Sequence, residues 1–431
     1  MIDSFFPGGR RERFVSLAAV LIVLALVWLY YRLEWGSVGA FVSAIDTCDR
    51  LFCDFIRHFR PMGKAVLSSA APVTGYLYTA FFTLVLVPFG AVSEGLAVWL
   101  WGAVQAALAA LLLILPIRGL VRVGPRGAPL YVLLFATSFP ILHNFKWGQV
   151  SVLVTLCIAG SFLAYRRERR ILAGVLLALG AAVKYYPAIF VIYFLLRRDT
   201  RAIGAFIFSL AVFFFVVPAL LMGPATWWTF QKASFSAIPD ASLIARNPNS
   251  QYFAYVASRL MSSGAGGAAM TVLRILGYAV ACANLGLLWI IQRIETRGKV
   301  TLSAALIFLT LPFLLQTSWP HYFVYLPLCQ AGLFSCIVRL PSDDRIRGKM
   351  SGGTEGSERT CMTALCATVV CSAALSSVFV FNLFPHWTVY SRYGILFISD
   401  FLALLALYGF VSMLLRRDPF ARQGEEVPVA A

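Results

Sequence analysis

The chain has 431 residues, of which 60% are hydrophobic and only 13% are charged. Soluble globular domains carry about 25% charged residues, so this composition excludes a soluble globular protein and indicates one that lies in a lipid bilayer. The formal net charge of +17 comes from short basic clusters between apolar runs. That distribution is typical of membrane topology and argues against a nucleic-acid partner.

The apolar runs predict a single all-α, polytopic membrane domain over residues 1–431. The first run, 14–33, is too long for the core of a signal peptide and reads as a retained span. Two consecutive runs around "KYYP" are too short to cross a bilayer and predict broken helices. We expect about twelve transmembrane helices with both termini in the cytoplasm. The runs lie near residues 14–33, 75–92, 95–116, 129–143, 149–165, 171–184, 186–196, 202–221, 267–292, 300–316, 321–338, 361–382 and 393–415.

The basic clusters assign sides to the loops through the positive-inside rule. The loops 34–74 and 222–266 are predicted to be extracytoplasmic, and the first of them to carry amphipathic helices. The "KYYP" and "SWPHY" stretches fall on the same side. The polar stretch 341–360 is predicted to be a flexible cytoplasmic linker.

The first loop concentrates ionisable groups in "AIDTCDRLFCDFIRHFRP", residues 44–61. If this loop lies outside the cytoplasm, a disulfide between Cys48 and Cys53 is possible. Asp54 precedes an amphipathic stretch and is either a helix N-cap or a reacting carboxylate. Asp46 and Asp49 are the alternative acids of the loop.

Polar residues from distant loops collect on the same predicted side. Ionisable groups at membrane depth usually pair, bind a ligand or face water, so we expect one extracytoplasmic cavity that binds an anion. Lys184 is either a snorkelling lysine or a phosphate contact, and His321 either a helix cap or a phosphate partner. Gln149 is either a packing residue or a site residue. Asn249 or Ser250 is expected to cap the helix that follows.

Five motifs in order resemble glycosyltransferase family 87 of the GT-C superfamily, which uses polyprenyl-phosphate sugars. They span roughly residues 50–330. In place of the prolines usual after "YLY" in the family, Thr79 and Ala80 stand here. The motifs are "CDFIRHFRPMGKAVLSSAAPVTGYLYTAFFTLVLVPF", "WGQVSVLVTL", "LAGVLLALGAAVKYYPAIFVIYFLLRR", "NPNSQYFAYVASRL" and "WPHYFVYLPL".

The resemblance implies a GT-C-like bundle and transfer of a glycosyl residue, commonly mannosyl, from a polyprenyl phosphate. It implies inversion, a bacterial inner (plasma) membrane location, an extracytoplasmic active site, a glycolipid or polysaccharide acceptor, and no cofactor or metal. The expected general base is Asp54. The expected substrate-binding residues are Lys184, His321, Arg246, Asn249, Gln149 and His58.

Two other functions share this composition. A transporter or flippase of a lipid-linked sugar also needs many spans and a polar cavity, but tends to carry polar groups through the bilayer midplane. Here Asp400, in the last span, is the main such group. A non-catalytic subunit of an envelope-assembly complex would use the same loops only for contacts and would tolerate loss of Asp54.

Overall fold

The computed structural model describes residues 10–48, 50–117, 120, 127–237, 247–261, 266–294, 296, 298–339 and 355–417. Helices dominate this part of the chain, and no β-strand forms in it beyond an isolated antiparallel bridge between Ser138 and Ser377. The prediction of an all-α polytopic membrane protein is confirmed.

The α-helices are Arg10–Trp35, Val38–Ile45, Arg60–Leu67, Ala80–Gly90, Glu94–Ile117, Gly127–Ala136, Phe139–Trp147, Ser151–Arg166, Arg170–Val183, Val191–Leu196, Thr200–Ala211, Val217–Met222, Pro224–Ala237, Phe253–Leu260, Gly267–Arg293, Lys299–Leu314, Leu326–Arg339, Glu355–Leu375, Val378–Phe381, Trp387–Arg392 and Ile395–Arg417. Single π turns lie at Phe55–Phe59 and Val212–Val216, and 3₁₀ turns at Tyr186–Phe190 and Pro320–Tyr325.

Within the described residues, seven helical segments are long and apolar enough to cross a membrane. They are Phe14–Trp35, Glu94–Ile117, Thr200–Met222, Gly267–Arg293, Pro320–Arg339, Gly356–Leu375 and Ile395–Arg416. Five shorter apolar helices accompany them: Ala80–Gly90, Ser151–Arg166, Arg170–Val183, Tyr186–Leu196 and Lys299–Leu314. The number of crossings and the sides of the loops remain predictions.

The break at "KYYP" is confirmed. The helix Arg170–Val183 ends before Lys184, whose backbone is extended, with φ −147° and ψ 133°. Pro187 then lies in the 3₁₀ turn Tyr186–Phe190, because proline has no N–H to continue an α-helical ladder. Lys184 therefore lies in the break between the two helical segments and not on the face of either.

The first loop packs on the next helix through two glycines. A Cβ atom at Gly63 would lie 2.3 Å from the Leu86 carbonyl oxygen, and one at Gly90 would lie 2.4 Å from the Lys64 nitrogen. Only glycine allows backbones to approach this closely. The amphipathic helix Arg60–Leu67 is thereby held against Ala80–Gly90, and the predicted helices of the loop 34–74 are confirmed.

Two predicted irregular stretches contain helices. The predicted linker 341–360 is wrong at its end, because residues 355–360 belong to the helix Glu355–Leu375; residues 341–354 lie outside the described residues. The predicted loop 222–266 holds the helix Pro224–Ala237, which was not predicted from the sequence, and the helix Phe253–Leu260, which was expected after Asn249 and Ser250 and is confirmed. Buried residues of both helices, such as Phe230 and Tyr255, pack against other described segments.

Candidate active site

The segment that carries Asp54 is fixed to the end of the helix Phe139–Trp147. Cys48 and Cys53 form a disulfide, a pairing that the sequence left open. Lys146 donates a hydrogen bond through Nζ to the Cys48 carbonyl, and its own carbonyl accepts one from the Phe52 N–H at 2.7 Å. Phe52 has a φ of +62°, a conformation that only such over-determined surroundings retain. The disulfide and the two hydrogen bonds of Lys146 therefore fix the backbone just before Asp54.

Gly148 makes this contact possible. It has a φ of +66° and ends the helix, and a Cβ atom there would lie 3.0 Å from those of Phe52 and Phe55. Its carbonyl accepts a 3.0 Å hydrogen bond from the Trp101 indole N–H, and the Phe55 ring stacks on Trp101 at 4.7 Å. The "WGQ" motif thus serves as the surface on which the acidic loop lies.

Gln149 joins Asp54 to the rest of the site. Its Nε2 donates to Asp54 Oδ2, and its Oε1 accepts from the Tyr78 hydroxyl. Because an ionised carboxylate only accepts hydrogen bonds, the amide nitrogen faces Asp54, and Oε1 is left to accept from the phenol. The Tyr78 hydroxyl in turn accepts a 3.3 Å hydrogen bond from Lys184 Nζ. A hydrogen-bonded chain therefore connects Asp54 with Lys184.

Asp54 is half-buried and keeps acceptor capacity. It stands at the N-cap position of the turn Phe55–Phe59, but its side chain makes no capping hydrogen bond. Burial raises the pKa of Asp54 to about 6, while the Gln149 hydrogen bond and the charges of His143 and Lys184 act in the opposite direction. A carboxylate that is ionised at neutral pH but basic for an aspartate is suited to accept a proton.

Lys184 is a buried lysine without a carboxylate beside it. Its side chain lies over the Tyr322 ring, with Nζ 3.7 Å from the ring centre, and the residue is 5% exposed. No aspartate or glutamate oxygen of the described residues lies within 4.0 Å of it. Buried charges are usually paired, so this position favours an anionic ligand.

Asp46 has the opposite character to Asp54. It is 4% exposed and accepts hydrogen bonds from the Thr47 N–H at 2.6 Å, Asn249 at 2.9 Å, and His143 and Trp147 at 3.2 Å. Burial opposes its ionisation, yet the His143 hydrogen bond and charge, with the other donors, hold the pKa of Asp46 below its usual range. Asp46 is thus a fully engaged anion that organises its neighbours.

His143 and His321 face each other across the site. Their rings stack with centres 5.6 Å apart, and both residues are buried. His143 turns Nε2 toward Asp46. The Nδ1 atoms of both rings are buried and have no hydrogen-bond partner among the described residues. Two imidazole nitrogens are therefore left for a ligand.

The structure brings together four of the predicted residues: Asp54, Gln149, Lys184 and His321. Asn249 joins through Asp46, not as a helix cap. The cap prediction is wrong for both Asn249 and Ser250, since Tyr252 holds the N-cap position of Phe253–Leu260. His58 is half-buried, one helical turn after Asp54, and its Nδ1 has no hydrogen-bond partner in the described part of the chain. Arg246 and Asp49 lie outside the described residues.

Sequence reasoning missed four aromatic groups of the site: Tyr78, His143, Trp147 and Tyr322. A signal for one pair was present, since His143 and Trp147 are four residues apart and share a helix face. Tyr78 and Tyr322 lie inside motifs quoted above, next to residues that had been singled out. Their roles depend on contacts between distant segments.

Comparison with known proteins agrees with the order of the motifs. The sequence model of glycosyltransferase family 87 matches residues 76–318, more than half of the chain. The matched range includes Tyr78, His143, Gln149, Lys184 and Asn249; it begins after Asp54 and ends before His321. No solved structure gives a significant match.

Curated relatives come from mycobacteria. A polyprenol-phosphate-mannose-dependent α-(1-2)-phosphatidylinositol mannoside mannosyltransferase of Mycobacterium tuberculosis is 29% identical over 191 residues, 43% of this chain and 42% of the relative. A corresponding phosphatidylinositol pentamannoside mannosyltransferase of Mycolicibacterium smegmatis is 28% identical over 216 residues, 49% of this chain and 50% of the relative. The chain thus spans about half the length of the curated relatives it matches.

Proposed function

This chain belongs to glycosyltransferase family 87, and we propose that it transfers a mannosyl residue from a polyprenyl-phosphate mannose to an acceptor hydroxyl. The observation that carries the proposal is the hydrogen-bonded chain from Asp54 through Gln149 and Tyr78 to Lys184. It links a candidate base to a candidate phosphate contact. The printed names of the relatives, which include the donor, support the choice of mannose.

The reaction is a single displacement. The acceptor oxygen forms a bond to the anomeric carbon, and the bond from that carbon to the phosphate oxygen breaks. Asp54 takes the acceptor proton, and polyprenyl phosphate leaves with the bonding electron pair. One displacement inverts the anomeric centre, whereas retention needs a carboxylate nucleophile and a second displacement. The hydrogen bonds that Asp46 accepts leave it less able to act as the base.

The leaving phosphate gains charge as the bond breaks, and cations around it stabilise that charge. Lys184 supplies a point charge from a site with no carboxylate of its own. His321 supplies a buried Nδ1 atom that no described residue uses. Both groups belong to breaks in apolar helices, where the polar head of a lipid donor and its hydrocarbon tail have to be accommodated together.

Asp46 and Asn249 organise the acceptor side in this proposal. Asn249 donates a hydrogen bond to Asp46 and accepts one of 2.9 Å from the Ser391 hydroxyl. Three segments that are distant in sequence therefore meet at Asn249. We assign a glycolipid acceptor, because the relatives' names specify phosphatidylinositol mannosides. The reaction is assigned to the extracytoplasmic face of a bacterial plasma membrane, in line with the basic clusters.

The test is transfer in proteoliposomes that contain the purified full chain. Synthetic polyprenyl-phosphate mannose and a phosphatidylinositol mannoside are supplied, and the product is identified by mass and by the configuration of its new glycosidic bond. We expect a mannosylated lipid whose anomeric configuration is opposite to that of the donor. Movement of intact donor across the bilayer with no transfer would overturn the proposal in favour of a transporter.

A further inference from the structure

Arg259 binds backbone carbonyls of two segments and has a donor left over. It lies on the helix Phe253–Leu260, and its Nη2 donates to the Ser250 carbonyl at 2.6 Å. Its Nε lies 3.3 Å from the Arg392 carbonyl. The remaining nitrogen, Nη1, is buried without a hydrogen-bond partner among the described residues. A fixed guanidinium with an unused donor is preorganised for an oxyanion.

Two further arginines surround the same short helix. Arg392 is exposed, and burial together with the Arg392 charge lowers the pKa of Arg259 to about 10. Arg274 is half-buried on Gly267–Arg293, and its Nε has no hydrogen-bond partner in the described chain. Leu273, beside it, packs on the Tyr252–Tyr255 turn of the helix that carries Arg259. We call these three residues the arginine cluster.

No acidic residue of the described chain pairs with the arginine cluster. The sequence stretches 247–294 and 361–399, which supply the three arginines, contain no aspartate or glutamate. The ion pairs of the described residues involve none of the three. A snorkelling arginine turns its head group to water, whereas Arg259 Nη1 and Arg274 Nε are buried. The cluster therefore has the charge and the free donors of an anion site.

The cluster lies at the beginnings of two candidate spans. Arg274 is in the first two turns or so of Gly267–Arg293, and Arg392 precedes Ile395–Arg416 by three residues. Both beginnings meet the helix of Arg259: Leu273 packs on its Tyr252–Tyr255 turn, and a Cβ atom at Gly394 would lie 2.3 Å from Val256 Cγ1. Helix ends of this kind lie near lipid head groups, and basic pockets between spans bind anionic ones.

The cluster also adjoins the reaction site. Ser250, whose carbonyl Arg259 binds, follows Asn249, which donates to Asp46. Ser391, which donates to Asn249, precedes Arg392. Asn249, Ser250 and Ser391 therefore connect the arginines to the carboxylate network.

We propose that Arg259, Arg274 and Arg392 form a binding site for the phosphodiester of the acceptor lipid, which holds the acceptor head group against the Asn249 side of the reaction site. The identification of this lipid as the acceptor rests on the proposed transferase function. The binding of a lipid phosphodiester is independent of it. The site is distinct from the donor phosphate site at Lys184.

A binding experiment tests the site without relying on turnover. Full-length protein in uncharged detergent is titrated with short-chain phosphatidylinositol, with a short-chain diacylglycerol glucoside as the uncharged lipid, and with inorganic phosphate. The variant is Arg392→Gln, whose side chain is exposed, and the matched control is Arg201→Gln, an exposed arginine on another helix. We expect Arg392→Gln to weaken phosphatidylinositol binding about tenfold, the worth of one charged hydrogen bond.

The control variant and the uncharged lipid should show no change. Equal binding of phosphatidylinositol to wild type and to Arg392→Gln would overturn the site. It would also be overturned if Arg392→Gln weakened binding of the uncharged lipid as much as binding of phosphatidylinositol. Inorganic phosphate binding as tightly as the lipid would overturn the assignment to a lipid. In transfer assays the same variant should raise KM for an anionic acceptor but not for the donor, and the reverse pattern would contradict the acceptor role while leaving the transferase itself intact.

Discussion

His143 Nε2 lies 3.2 Å from Oδ2 of Asp46, and both side chains are buried. A carboxylate in this position fixes the imidazole ring and selects the tautomer with hydrogen on Nε2. The other nitrogen of the ring, Nδ1, is then directed away from Asp46 and is buried without a hydrogen-bond partner among the described residues. We therefore expect Asp46 to act on the reaction through His143, as a positioning residue.

Two substitutions of His143 distinguish its hydrogen bond to Asp46 from a part of its Nδ1 atom in transfer. His143→Gln keeps an amide donor for Asp46 but removes Nδ1, and we expect transfer to fall about tenfold with little change in thermal stability. His143→Ala also leaves a buried carboxylate short of a donor, and it should destabilise the protein by about 1–3 kcal/mol. Rates and melting temperatures of both variants test this. Equal, wild-type rates in the two would contradict a role for the ring.

The pH dependence of transfer should report Asp54. Since the pKa of Asp54 is raised to about 6, and a general base must be deprotonated, kcat/KM should rise with pH through about 6 and then level off. The Gln149 hydrogen bond lowers this pKa. Gln149→Leu should therefore move the midpoint to higher pH. A pH-independent rate across the acidic range, or an unmoved midpoint in Gln149→Leu, would speak against Asp54 as the titrating base.

Lys184 should matter for the donor and not for the acceptor. Lys184→Met removes the ammonium next to the proposed phosphate, and we expect KM for the polyprenyl-phosphate sugar to rise about tenfold or more, with a fall in kcat. Lys184→Arg should recover part of the loss. Lys232→Met, which changes an exposed lysine, is the control. An increase in KM for the acceptor alone would contradict the assignment of Lys184 to the donor phosphate.

The Cys48–Cys53 disulfide should stabilise the loop that precedes Asp54. The double change Cys48→Ser and Cys53→Ser removes a cross-link worth about 2 kcal/mol, so we expect a lower melting temperature and slower transfer. The control is Cys282→Ser, an exposed free cysteine. Reductant should lower the melting temperature of the wild type and of Cys282→Ser, which keep the disulfide, but not that of the double variant. Insensitivity of the wild type to reductant would show that the bond contributes nothing.

Much of the fold follows from the sequence because lipid imposes simple requirements. Apolar runs predicted the helices, and "KYYP" predicted the break after Val183. The prediction failed at residues 355–360, where a polar Gly/Ser composition concealed the first turns of a helix that continues into an apolar run. It also did not predict the helix Pro224–Ala237, whose aromatic residues pack on other segments, whereas the helix Phe253–Leu260 was expected after Asn249 and Ser250 and is confirmed.

The site was predictable only in part. Asp54, Gln149, Lys184 and His321 stood out as polar residues at the ends of apolar segments. His143 and Tyr78 did not, because a histidine or tyrosine in an apolar run is ordinarily a core residue. Asn249 was assigned to a cap, since local patterns favour local partners, whereas its side chain bonds Asp46, 203 positions away in sequence. Contacts between distant segments leave no local pattern.

The most direct test compares Asp54→Asn with Asp46→Asn in the proteoliposome assay, with melting temperature and donor binding measured for each. Asp54→Asn should stay folded, bind donor and lose about 10² to 10⁴ in kcat, the usual contribution of a general base. Asp46→Asn should lose less activity and more stability, because it weakens a buried network. Transfer by Asp54→Asn at the wild-type rate, or a larger kcat loss in a stable Asp46→Asn, would contradict Asp54 as the base.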